Sequence, residues 1–386
     1  GLAFNAAIQQ ENFLGTGNQV GISLNTWKAQ QTVSLNYTDN YFTDDGVSLG
    51  GHISYSNFDA SKVNLVTYDR KTVSVGPMLS WPIMENNRLN VGVAYKNIEI
   101  GSLSPYEQIK RFSDTFLDPD NPDAQFKFES VEANIGWRRS TLNRGVFPTN
   151  GSSQSLGFKV TVPGSDVEYF KINFDSKFYF PISQDHRWTF LTRLEMNYGN
   201  GYGSLNGNDQ VLPFWENMQQ RSTDLRGFES NTIGPRGLLR NSTKVTGGPD
   251  GLGGTTSIVR SSEFDVLQTT NGTTGGNASF FGGFELITPT PFVSEEYSNS
   301  VRTSFYIDVG NVWDTEFSLS DYADLSENQQ ATLVDYSDPN RYRASTGVSL
   351  QWLSPMGPMV FSWSKPLKKY DGDEHEVFSF NIGTTF

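Results

Sequence analysis

The chain has 386 residues, of which only 36% are hydrophobic, and its mean hydropathy is −0.45. No run approaches the roughly 18 apolar residues of a spanning helix, so a helical membrane protein is excluded. A net charge of −13 argues against nucleic acid as a partner, because phosphate binding needs a basic face, and zero cysteines exclude a disulfide framework or thiolate metal site. Aromatics nevertheless make up 13% of the chain. A polar average with many aromatics is what a membrane barrel needs, with a wet lumen, an apolar outer band and aromatic girdles.

In chain order, period-two alternation marks fifteen segments: 2–13, 18–27, 31–42, 46–58, 70–83, 88–101, 126–140, 152–162, 167–182, 187–199, 277–288, 301–313, 342–353, 357–367 and 376–386. In the ninth, Phe170, Ile172, Phe174, Phe178 and Phe180 share one face, against Lys171, Asn173, Asp175 and Lys177. In the thirteenth, Ala344, Val348, Leu350 and Trp352 oppose Arg343, Ser345, Ser349 and Gln351. Helical periodicity is scarce. Membrane strands need about 9–11 residues, whereas soluble strands average about 5–6; the segments are of the longer kind. The expected fold is all-β: one transmembrane antiparallel β-barrel over residues 1–386.

Connections alternate in length. Short ones include LGTG (14–17), TDDG (43–46), MENN (84–87), SQDH (183–186) and SPMG (354–357); longer ones fill 59–69, 102–125, 200–276 and 314–341. Bacterial barrels have short periplasmic turns and longer external loops, so 200–276 is read as a long extracellular loop. Single-chain bacterial barrels also have an even strand count. Fifteen segments therefore predict a sixteen-stranded barrel whose first strand lies upstream and pairs with 376–386.

The loop 200–276 is far longer than ordinary connections and is expected to fold back and act. Its stretch TGGPDGLGG (246–254) reads as mobile and external, whereas 222–237 concentrates Leu225, Arg226, Gly227 and Phe228, followed by ESNTIGPRG (229–237). In the last segment Phe378, Phe380, Ile382, Thr384 and Phe386 share one face, with Gly383 on the other, where a glycine weakens packing and permits a kink. An aromatic-rich last strand ending in Phe386 looks like a signal read by strand addition. His52, His186 and His375 are isolated, no metal-ligand spacing occurs, and the glycines of GTGNQVG (15–21) precede a strand rather than a helix. No enzyme, metal or cofactor is expected. The acidic cluster Asp371, Asp373, Glu374 and Glu376 around His375 reads as a hydrated external hairpin.

Taken in order, Leu225-Arg226-Gly227-Phe228 with QQENFLGTG (9–17), YFTDDGVSLGG (41–51), FPTNGS (147–152), PGSD (163–166), LITPTPF (286–292) and KKYDGD (368–373) resembles the BamA family of outer-membrane assembly factors, within the superfamily of barrels preceded by periplasmic POTRA domains. The resemblance covers nearly the whole chain. It implies an integral protein of a Gram-negative outer membrane that folds and inserts other β-barrel proteins. Its working part would be a weak lateral seam between first and last strands, one side of it formed by Phe378 to Phe386. It also implies that the loop folds into the lumen, where Arg226 meets acidic residues of the wall. Glu285 and Asp308 are the two candidates, each on the polar side of its strand. Implied partners are unfolded outer-membrane β-barrel proteins, outer-membrane lipid, and accessory lipoproteins reached through POTRA domains that these residues do not include. A secretion translocator of the same superfamily and a passive porin are the rival readings.

Overall fold

A computed structural model describes residues 4–104, 106–116, 126–205, 207–241, 244–246, 258–260, 266–294, 300–355 and 357–382. Fifteen strands form one sheet in chain order: β1 Phe4–Gln10, β2 Gln19–Trp27, β3 Gln30–Asp39, β4 Ser48–Asp59, β5 Asp69–Met84, β6 Asn87–Gly101, β7 Phe126–Ser140, β8 Gly151–Thr161, β9 Tyr169–Pro181, β10 Thr189–Gly201, β11 Ala278–Thr288, β12 Val301–Trp313, β13 Arg343–Ser354, β14 Gly357–Lys368 and β15 Phe378–Ile382. Each pairs antiparallel with its chain neighbours, β10 with β11 directly across the long loop. The sheet's edges are β1 and β15, and among the described residues no ladder joins them.

Alternation sets the two faces, and the faces are inverted relative to a soluble protein. Phe284, Phe305, Ile307, Trp352 and Trp363 are 42–58% exposed on the outside, while Ser345, Ser349, Gln351 and Ser362 on the inside are fully buried. Apolar outward and polar inward is the pattern of a membrane barrel. The inward polar groups are buried because the lumen is filled by chain, chiefly by the segment between β10 and β11.

Segments 126–140 and 301–313 coincide with β7 and β12. The first is shorter than expected: β1 ends at Gln10, and a 3-10 turn, Phe13–Gly15, follows with Asn12 and Leu14 at positive φ. The last is described as far as Ile382; Gly383, Thr384 and Phe386 lie outside the described residues. Beyond Thr246, so does the glycine-rich stretch 246–254. One connection holds structure that alternation does not announce, the helix α1, Glu107–Phe116. Its buried residues Ile109, Phe112 and Thr115 recur every third position, the spacing of a single helical stripe. Phe112 packs against Phe128 of β7 and against Phe214 and Trp215 of the long loop, with ring centroids 5.8, 5.6 and 4.9 Å apart. A second short helix, α2 Glu327–Thr332, lies between β12 and β13.

The connections sort onto two rims. The connections that follow β1, β3, β5, β9 and β13 leave the sheet at a short-turn rim, whereas those that follow β4, β6, β10 and β12 leave it at the opposite, long-loop rim. The hairpin at 28–29 is a short connection on the long-loop side.

Candidate functional site

On β12 Tyr306 and Asp308 stand two residues apart and so share the inner face; on β11 Glu285 lies directly across from Tyr306. On the other flank of β12, Asp308 faces Ser345 and Ser304 faces Ser349. This wall offers two carboxylates, one aromatic ring and a run of small residues. Gly347 is small for a reason: a Cβ there would fall 2.5 Å from the Tyr306 hydroxyl.

Arg226 enters that wall from the loop and is 1% exposed. Its Nε and Nη2 donate to the two oxygens of Asp308 at 2.7 and 2.9 Å, and Nη1 donates to Glu285 Oε2 at 2.9 Å. The guanidinium carbon lies 3.4 Å from the centroid of the Tyr306 ring, which serves as its floor. The backbone is held as well. Arg226 N–H donates to Asp308 Oδ2 at 3.3 Å, and the Ser345 hydroxyl donates to the Arg226 carbonyl at 2.5 Å. The planar fork of arginine suits a carboxylate met edge-on in two bonds. Burial works against the cation, but Glu285 and Asp308 outweigh it and hold the guanidinium above its usual range.

Arg193 of β10 completes the charge count. Its Nη2 lies 2.8 Å from Asp308 Oδ2, and it donates to the carbonyls of Thr223 and Asp224 at 2.8 and 3.1 Å. Two guanidinium groups thus face two carboxylates, the balance a buried ionic cluster requires. Gly227 sits at φ +90, and a Cβ there would stand 2.9 Å from the Ser364 Cβ, so the turn after Arg226 needs glycine on both counts. Leu225 and Phe228, both fully buried, pack with Ile233, Phe281 and Val312.

Beyond Gly227 the loop grips the approach to the last strand. Phe228 forms an antiparallel bridge with His375; Glu376 N–H donates to the Gly227 carbonyl at 3.1 Å, and Glu229 N–H to the Glu374 carbonyl at 3.0 Å. Asp373 corrects the expectation of a hydrated hairpin. It is buried and accepts from Arg343 Nε and Nη2 at 3.0 and 3.1 Å, because Arg343 at the head of β13 turns toward it. His52 lies within β4, where its Nε2 contacts the Ser74 hydroxyl at 2.9 Å.

A second anchor holds the loop to another stretch of the wall, on the other side of β10, with the polarity reversed. Glu216, the last residue of a 3-10 turn Phe214–Glu216, receives Lys159 Nζ of β8 at 2.8 Å and Lys171 Nζ of β9 at 3.2 Å. Lys171 also donates to the Glu216 carbonyl at 2.6 Å, and Arg70 of β5 to that of Trp215 at 3.0 Å. Behind them Glu132 of β7 takes Lys96 at 2.7 Å and the Tyr169 hydroxyl at 2.5 Å. Burial opposes the Glu216 charge, but Lys159, Lys171 and Lys96 overcome it and hold the carboxyl well below its usual range.

The structure thus brings Leu225, Arg226, Gly227 and Phe228 together with Glu285 and Asp308. Phe378, Phe380 and Ile382 are elsewhere, 45–50% exposed on the outer face, and the loop's contacts lie just upstream of them, at Gly372 to Glu376. Sequence reasoning missed Tyr306 and Arg193, although both share the inward parity of their neighbours. It also missed Glu216 and its lysines, for which no local signal exists.

The Omp85 superfamily domain profile matches residues 12–386. The outer membrane protein assembly factor BamA of Neisseria meningitidis serogroup B is 28% identical over the whole of this chain, which spans 45% of that protein. The crystal structure of BamA from Haemophilus ducreyi lacking POTRA domains 1–3 superposes with a TM-score of 0.86 at 35% identity, covering all of this chain and 68% of that one. The chain therefore spans less than half the length of the curated relative it matches.

Proposed function

This chain belongs to the Omp85 superfamily, and from that membership we propose that it is the membrane barrel of an outer-membrane protein assembly factor in a Gram-negative bacterium. In this reading the short-turn rim faces the periplasm and the long-loop rim faces outward. Clients are unfolded β-barrel proteins, and accessory lipoproteins act through periplasmic domains of the complete protein. A client strand adds to an exposed sheet edge, so that its backbone groups are paired before they meet lipid. No covalent step or cofactor is invoked.

The observation that carries this reading is the loop's double attachment. Arg226 is clamped to β11 and β12, and one residue later the same segment is hydrogen-bonded to 374–376, which lead into the edge strand β15. An edge strand is a hazard that proteins ordinarily cover. Here the loop braces the root of that strand and leaves its length, Phe378 to Ile382, at the sheet margin.

A porin would use an inward loop to set acidic against basic residues across an open pore. This loop instead commits its arginine to a buried cluster in which two guanidinium groups balance two carboxylates, which favours a brace over a filter. The decisive experiment uses the complete protein, with one cysteine between Phe378 and Ile382 and its partner on the barrel strand that faces β15 across the sheet margin, on the side away from β14. The present sequence has no cysteine and adds no background. Oxidation in proteoliposomes is expected to stop client folding, and reduction to restore it; folding that continues with the margin locked would reduce the barrel to a scaffold or channel. Residues 1–386 alone are expected not to restore growth in a complementation assay.

A further inference from the structure

Near the long-loop rim the outer face of the barrel is notched. On the cross-strand row Tyr198–Ala278–Trp313, one small residue stands between two large aromatic ones, so the rings become walls and Ala278 the floor. Phe174, Met196, Phe280 and Val309 continue the surface, and the cleft encloses about 560 Å³. Its far wall is Pro339 to Tyr342. That wall is fixed, because Asn311 of β12 donates to the carbonyls of Asp338 and Pro339 at 3.3 and 3.2 Å.

One end of the cleft carries positive charge. Lys368 Nζ lies 3.5 Å from the centroid of the Tyr342 ring, and the Arg341 guanidinium carbon 4.0 Å from that of Tyr370. Both cations rest on aromatic rings, and among the described residues neither forms an ion pair with a carboxylate. In a chain of net charge −13, two uncompensated cations beside an apolar slot run against the overall balance. A slot with charge at one end matches an amphiphile with an anionic head. Chains that lie along a barrel's outer surface at membrane depth are acyl chains, and basic side chains at the interface attract anionic headgroups.

We infer that this cleft binds a phosphate-bearing lipid of the outer leaflet, one acyl chain lying over Ala278 between Tyr198 and Trp313 and the phosphate meeting Lys368 and Arg341. The inference rests on the reading above that the long-loop rim faces outward.

The test uses the full-length protein in phosphatidylcholine nanodiscs doped with lipid A, followed by native mass spectrometry of the lipid retained after release. The folded state is verified by heat-modifiable migration. Wild type is expected to retain lipid A at least about tenfold better than R341Q/K368Q, two cation contacts being lost. Ala278→Trp, which fills the slot, is expected to lose retention likewise. Dephosphorylated lipid A is expected to behave as R341Q/K368Q does, and millimolar inorganic phosphate to leave retention unchanged. Equal retention by wild type and the rim double variant, which leaves the barrel's packing untouched, overturns the site even if Ala278→Trp fails to fold. Displacement by inorganic phosphate overturns it too, by making the cations a free-anion site. Orientation is read separately, by labelling a cysteine at Asp371 on intact cells with an impermeant maleimide. Labelling without a lipid difference sinks this site alone; absence of labelling sinks the orientation on which it depends.

Discussion

At the scale of single residues, Arg226 decides how the loop is seated, and its replacement separates charge from shape. Removing it strands two carboxylates in a buried wall, with Arg193 left to serve Asp308 alone. Breaking a buried ion pair by deleting one partner costs about 3–5 kcal/mol. Arg226→Ala is therefore expected to lower the unfolding free energy of the folded barrel by that order, seen as a lower urea midpoint by heat-modifiable migration. Arg226→Lys is expected to recover little, since one ammonium cannot bond both Asp308 oxygens and Glu285 at once. Glu216 carries a pH signature instead. Its carboxyl is held well below its usual value of 4.5, so its contribution is complete above that value and is lost as pH falls through the lowered one. Protease access to the loop of the folded barrel is expected to stay low down to about pH 4.5 and to rise only in stronger acid. Glu216→Gln removes that acid limb, and an acid limb that persists in this variant would assign it to another group. Glu285 and Asp308 were legible as inward residues because parity along a strand is a local property, and Arg226 through the resemblance that its tetrapeptide carries. Glu216 was not, because Lys159 and Lys171 reach it from strands more than forty positions away.

Among the elements, strands were legible wherever both faces were populated, as in β7 and β12, and blurred where glycines took over at the ends, as after β1. Helix α1 escaped because its apolar positions face the long loop, a surface that does not exist until the loop has folded inward. The short ladder between 227–229 and 374–376 was equally invisible, since it is backbone pairing between segments with no shared side-chain pattern. It makes a prediction at its own scale. Glu376→Pro removes the N–H that bonds the Gly227 carbonyl, a loss of about 1 kcal/mol. Amide exchange at 228–229 and 374–375 is expected to quicken together, while that of β11 and β12 stays slow. Quickening on one side only would mean that the two segments are not held by each other.

For the whole molecule, the two anchors matter as a pair. The loop is tied to β11–β13 through Arg226 and to β7–β9 through Glu216, so it is a strut fastened to two separate stretches of the wall. A strut with one end freed still obstructs the bore. Single-channel conductance in planar bilayers is expected to change little for Arg226→Ala or Glu216→Gln alone and to rise in the double variant by more than the sum of the two. Additive single effects would mean that each wall holds its part of the loop independently. The barrel architecture was legible from composition and strand count, and the inward loop through the family resemblance; the second anchor was not, because it depends on contacts between distant parts of the chain.

The count of strands has one more consequence. In an uninterrupted up-and-down meander, an odd number of strands leaves the first and last running in the same direction, as β1 and β15 do. Those two margins can meet each other only as a parallel pair, whereas each offers an antiparallel ladder to a segment running the opposite way. The gap between them therefore has a polarity. A segment threaded from the short-turn rim toward the long-loop rim satisfies both margins at once, and the same segment reversed satisfies neither in that register.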